Sequence, residues 1–131
     1  MGIVRINVHK VNAEKNPTAR VGQVKINNTV AITNIEPLDM KLAGKAGCKF
    51  TFTFGSKYEP ALGNIDIEGT ILFTGEEDVV NEIVTAWNKD QKVAEKVKQG
   101  VVNAALHKGH IEAIKMSDDL GLPSPLPFRV K

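Results

Sequence analysis

The sequence predicts an α+β fold, with a four-stranded sheet followed by a short helix, a long helix and an extended apolar tail. Three observations predict it. Apolar and polar residues alternate through most of the first half, the period of half-buried strands. At Thr74 the period changes to the i, i+4, i+8 spacing of helices. The chain then ends in GLPSPLPFRVK, where prolines at 123, 125 and 127 separate Leu122, Leu126 and Phe128. Strands gathered ahead of helices give segregated layers around one core. The division is a single domain over 1–131, with a sheet to about residue 75, helices over 76–120 and a tail over 121–131.

The first strand places Val4, Ile6 and Val8 on one side and Arg5, Asn7 and His9 on the other. NAEKNPTARVG reads as a loop punctuated by Pro17 and Gly22. A second strand runs through Val24, Ile26, Asn28, Val30 and Ile32. Asn28 breaks its apolar face, which marks a bulge or an edge position. NIEPLDMKLAGKAG, with Pro37 and two glycines, reads as an irregular connection carrying Leu38, Met40 and Leu42. The third strand is the clearest: Cys48, Phe50, Phe52 and Phe54 share one face, and Lys49, Thr51 and Thr53 the other. After the turn KYEPALGN, the fourth strand sets Ile65, Ile67, Gly69, Ile71 and Phe73 opposite Asp66, Glu68 and Thr70, with Leu72 an apolar exception. Two such strands joined by a short Pro/Gly loop form an antiparallel hairpin.

Thr74 and Glu77 stand at capping-box spacing, and Glu76, Glu77 and Asp78 suit the positive end of a helix dipole. Val79, Ile83 and Trp87 line this helix, with Val80 and Val84 alongside. NKD breaks it, and Asp90 is placed to cap a second helix from Gln91 to about Leu120. That helix contains Gly100 and Gly109, each costing roughly 1 kcal/mol against alanine. Gly100, Ala104 and Ala105 make a small-residue strip suited to close approach of another helix. Gly121 is placed to end the helix, and Pro123 prevents its continuation.

Composition narrows the function classes. The 131 residues are 42% hydrophobic and 24% charged, an ordinary globular profile. A net charge of +2 is far from the basic footprint of a dedicated nucleic-acid binder. One cysteine, Cys48, excludes an internal disulfide and multi-cysteine metal sites, and it fits a reducing, cytoplasmic setting. No signal peptide or membrane span is expected.

The chemical constellations are weak. His107 and His110 share a helix face, but Glu112 lies about 160–200° round the helix from His110, so a metal site lacks its third ligand. Cys48 has no local signature of a nucleophile and reads as a small buried hydrophobe. The pairs Glu76–Glu77 and Asp118–Asp119 are sequence neighbours that do not face each other on a helix, which leaves acid–base catalysis unsupported. No phosphate-binding glycine loop is present. No catalytic residue, metal or cofactor is therefore expected. Lys89, Lys92, Lys96, Lys98 and Lys108 form a basic stripe that suits phosphate contact, or a solvated helix face equally well. The Phe50, Phe52, Phe54 stripe is most simply core, with an open apolar groove as the functional alternative.

The stretch from Gly63 to Phe128 resembles the SecB family of export chaperones. IEGTILFTGEED resembles that family's fourth strand running through a glycine-containing turn into the helices, and GLPSPLPF resembles the Pro- and Leu-containing segment after its main helix. The resemblance implies a Greek-key sheet followed by helices, and a homo-tetramer with helices packed between sheets. It implies apolar grooves that hold unfolded or partly folded polypeptide without ATP. On this reading Leu38, Met40, Leu42, Phe52, Phe54, Leu122, Leu126 and Phe128 bind client, and Gly100, Ala104 and Ala105 form the oligomer interface. Two other classes stand beside it: a nucleic-acid-binding accessory protein using the lysine face, and a structural or small-ligand-binding subunit.

Overall fold

The computed structural model describes residues 2–17, 25–42, 45–59 and 62–122, with the side chains of 39–42 outside the description. Four strands, β1 (Gly2–Lys15), β2 (Lys25–Leu42), β3 (Lys45–Glu59) and β4 (Gly63–Glu76), precede α1 (Glu77–Asp90) and α2 (Glu95–Leu120). The strands form one antiparallel sheet in the order β1-β4-β3-β2. Strands β2, β3 and β4 follow one another across the sheet, and β1 lies beside β4, which is Greek-key order. The predicted α+β class and element order are those observed.

Both helices pack on one face. Their weight divides the core into two clusters along the sheet. Beneath α1 and the first half of α2 lie Ile35, Cys48, Phe50, Phe52, Ile71 and Phe73, with Val80, Ile83 and Trp87 above them. Phe50 and Phe73 meet edge to face, centroids 6.1 Å apart. Toward the C-terminus of α2 lie Phe54, Tyr58, Leu62, Ile65 and Ile67, covered by Ala113 and Leu122. Strand β3 spans both clusters, and its alternation is as the sequence predicts.

The edge strands differ from expectation, and bulges explain how. In β1 the register shifts between Ile3 and Arg5 and again between Val8 and Lys10. Ile3, Ile6, Val8, Val11 and Ala13 therefore oppose the inward residues of β4, while Val4 is set outside the alternation and is 64% exposed. In β2 the shift falls between Ile32 and Asn34, not at Asn28. It restores Ile35 to the helix side, opposite Phe50, so the strand continues through Pro37 to Leu42 where an irregular connection was expected. Pro37 is tolerated because β2 is an edge strand, where a missing N–H breaks no ladder bond on the outer side. Asn28 keeps its place because Ser56, opposite it and buried, donates a hydrogen bond to its Oδ1.

The helix ends also correct the sequence reading. Thr74 remains in β4, and the residue preceding α1 is Glu76, with no side-chain cap. Glu77 and Asp78 in the first turn and Lys89 in the last still match the helix dipole. Asp90 ends α1 and does not cap α2, which begins four residues after Gln91. Gln91 turns the chain in a left-handed conformation, φ 55°, its N–H bonded to the Trp87 carbonyl. At the far end Gly121 does what its position predicts. It is left-handed, φ 69°, its N–H bonds to the Asp118 carbonyl, and the Leu122 N–H bonds to Ser117 at 2.8 Å. This pairing is a Schellman motif, and Leu122 supplies its apolar contact by burying in the second cluster.

The face α2 turns to the sheet is small. Val101, Ala105, Gly109, Ala113 and Ser117 are its buried residues, each four on from the last. Such a ridge lets a helix backbone lie close on a sheet studded with phenylalanines. Ala105, expected at an oligomer interface, is fully buried against its own sheet. Gly100 is exposed, with open space where a Cβ would stand, and Ala104 is half-buried.

Candidate functional site

The structure separates the residues expected to bind client. Leu38 pairs with Gly47 near the start of β3, whereas Leu122 packs beside Tyr58 and Leu62 near its end. Eleven residues of strand, roughly 36 Å, lie between those positions. Phe52 and Phe54 are 0% and 1% exposed beneath the helices, so no polypeptide reaches them while α1 and α2 are docked. The side chains of Met40 and Leu42, and all of Leu126 and Phe128, lie outside the described residues.

Among the described residues, three solvent-open depressions can be compared. The largest, about 780 Å³, lies where β1 and β3 end and β2 and β4 begin. It is polar and charge-mixed, with Glu14, Glu59 and Asp66 against Lys15 and Lys57. A smaller one, about 230 Å³, sits on the outer sheet face around Gly55, among Lys10, Asp66 and Glu68. The walls of both are mainly polar and charged side chains.

The second in size, about 510 Å³, is different in kind. It runs between the edge strand β2, at Val30, Ala31 and Ile32, and the joint of the two helices, at Trp87, Gln91, Lys92, Val93, Lys98 and Val102. Trp87 is held there by the α1 ridge Val80, Ile83, Trp87 and by the left-handed turn at Gln91, which swings Lys92 and Val93 over the β2 side. Val30 and Ile32 face the helices because they oppose Phe54 and Phe52. Among the described residues β2 pairs with β3 alone. A strand edge beside a groove with an aromatic wall is the geometry that takes an extended chain by strand addition. Of these nine residues the sequence reading named only Lys92 and Lys98, in a basic stripe suited to phosphate contact, and none as part of a polypeptide groove. The available signal was the conjunction of a lone tryptophan on the helix face with a strand whose spacing slips from Ile32 to Ile35.

The remaining chemistry is structural. Glu112 accepts Lys108 and Lys115 at 3.7 and 3.4 Å, so it is not aimed at the histidines. Among the described residues no three His, Cys, Asp or Glu side chains group to hold a metal. His110 sets its ring against Phe54, centroids 5.2 Å apart and nearly perpendicular. Burial lowers its pKa, and the nearby His107 lowers it further. The folded chain thus binds this proton less readily than the unfolded chain. Stability is expected to fall as pH drops through about 6.5, the unfolded value. Denaturation midpoints measured from pH 8 to 5 check this; in His110→Phe the slope should flatten.

Burial pushes the Cys48 thiol up to about 11. A thiol that holds its proton, with no exposed surface, is a poor nucleophile. It is expected to resist a thiol reagent at pH 8 until denaturant opens the core; fast reaction of the native protein would contradict the placement.

The Greek-key sheet with two helices on one face is SecB-like in fold by its likeness to a solved structure. The chain is similar to the solved structure of a SecB-like chaperone of Mycobacterium tuberculosis in complex with a ChAD peptide from an antitoxin. The TM-score is 0.55 with 13% identity, over 98% of this chain and 88% of that one. At that identity the likeness is one of fold. No protein-family model matches the chain, and no curated protein matches it by sequence. No helix among the described residues is long and apolar enough to cross a membrane.

Proposed function

We propose that this protein is a chaperone-type polypeptide binder that holds extended, non-native segments without nucleotide. The observation that carries this reading is the groove along the β2 edge, where Trp87, Val93 and Val102 stand beside a strand with one partner among the described residues. The SecB-like fold supports it, and the similar mycobacterial protein is a chaperone seen with a peptide. Apolar area supplies affinity at roughly 25 cal/mol per Å² before the ordering cost of the captured segment. Little sequence is read in this way, so a range of clients fits. Leu38, farther along β2, and Met40, Leu42, Leu126 and Phe128 belong to the proposal as further client contacts. Assembly into a homo-oligomer is part of it too, with Gly100 and Ala104 exposing a narrow strip of α2 to a neighbour. The setting proposed is cytoplasmic, where the single thiol stays reduced.

The test dilutes a chemically unfolded client into buffer with and without this protein, and records the protein's mass by light scattering on the same sample. Suppressed aggregation near stoichiometric ratios, without ATP, by a discrete oligomer is the expected result. Unchanged aggregation at a large excess of protein would sink the reading.

A further inference from the structure

The groove at the β2 edge carries charge of one sign. Lys92 and Lys98 stand among its lining residues, and no carboxylate does. Both lysines are exposed, and neither enters an ion pair among the described residues. Trp87, Val93 and Ile32 line the groove beside them. The largest depression, with both signs on its walls, has no such bias.

We propose that this groove selects short apolar segments flanked by acidic residues, added as an extended strand along β2; the inference rests on the polypeptide-binding reading above. A strand laid against residues 30–32 continues the alternation of the sheet. Its helix-side residues then fall over Trp87 and Val93, where only apolar side chains avoid an unpaired buried group. Residues at its ends reach the groove rim, where Lys92 and Lys98 favour carboxylates and repel cations. The bulge after Ile32 interrupts the even spacing of β2 and confines the paired stretch to a few residues. Apolar burial then sets how tightly a segment is held, and the two lysines set which segments are held.

Trp87 is the chain's only tryptophan and lies in the groove, so its emission reports occupancy. The full chain is titrated with two synthetic peptides that share one apolar core, the first flanked by Glu and the second by Lys. The Glu-flanked peptide is expected to bind about tenfold tighter at low salt, as two exposed charge contacts allow. In about 0.5 M salt that preference should shrink to threefold or less. The double substitution Lys92→Glu, Lys98→Glu should reverse the order without moving the melting temperature. N-methylation of alternate amides along one edge of the Glu-flanked peptide should abolish its binding; undiminished affinity would overturn the strand-addition geometry. Equal low-salt affinities for the two peptides overturn the charge selection while leaving the polypeptide-binding reading in place. Failure of both peptides, together with unsuppressed client aggregation, overturns both. A Trp87 response to a single-stranded oligonucleotide, with both peptides inert, overturns the inference in favour of a nucleic-acid partner.

Discussion

Gly109→Ala is expected to destabilise the protein by about 2 kcal/mol. The direction is opposite to helix propensity, which favours alanine by roughly 1 kcal/mol. The cause is Phe54. A Cβ at position 109 would stand 2.5 Å from the ring's Cγ and 2.9 Å from its Cβ. Those atoms lie near the backbone of a central strand and have no room to swing away. Phe54 is itself fully buried, so the helix must lift or the strand must bend. Nine residues earlier the same exchange should have the other sign. A Cβ at Gly100 meets nothing within 4 Å, so Gly100→Ala is expected to stabilise by about 1 kcal/mol. Urea denaturation of the two variants checks both. Pairing Gly109→Ala with Phe54→Leu should recover part of the loss, because the smaller side chain gives way. A Gly109→Ala protein as stable as the parent would mean that α2 is not seated on Phe54.

The second large effect is expected at Phe52. Phe52→Ala should cost about 4 kcal/mol, the range of a fully buried phenylalanine cut to alanine. Its ring is 0% exposed and lies over Gly69, where a Cβ would come within 2.8 Å of it. Gly69 is thus the complement of Phe52: the strand gives up a side chain where the tip of the ring and the Asn7 carbonyl oxygen come close. A loss of this size consumes much of a domain's stability. The variant should therefore show a lowered denaturation midpoint before any defect in holding client. Near-parental stability combined with lost client capture would instead place Phe52 on an accessible surface.

Much of this architecture was legible because the central strands obey simple rules. β3 and β4 keep unbroken alternation over Cys48–Phe54 and Ile65–Phe73, and Gly121 stands where a left-handed residue must end α2. The edge strands were harder. Each has two register shifts, and an extra residue puts apolar positions three apart, as at Ile32 and Ile35, so that a fixed period of two reads such a strand as finished. The seat of α2 was hidden for another reason. Ala105, Gly109, Ala113 and Ser117 have small side chains of weak hydrophobicity, and the sequence draws attention to larger residues such as Ile111, which is 38% exposed. The strip Gly100, Ala104, Ala105 was read as a mark of close approach by another helix; at Ala105 the approaching partner is the chain's own sheet, and at Gly100 a Cβ would meet nothing. The groove was missed because its walls come from residues 30–32 and 87–102, which nothing in the order of the sequence connects.

The bulges also set how the gene encoding this protein can change. Each takes up one additional residue without a partner, so the later part of the strand keeps the phase that buries its apolar side. Losing Thr33 would leave Ile32, Asn34 and Ile35 in plain alternation opposite Phe52, Thr51 and Phe50. Losing His9 would do the same for Val8, Lys10 and Val11 opposite Gly69, Glu68 and Ile67. Losing a paired neighbour such as Ile32 has no such remedy, because the bulge residue would have to take its place in the core. Exchanging either residue for another leaves the count intact and the phase unchanged. Among descendants of this sequence, positions 9 and 33 should therefore vary in identity and tolerate loss better than the paired positions on either side.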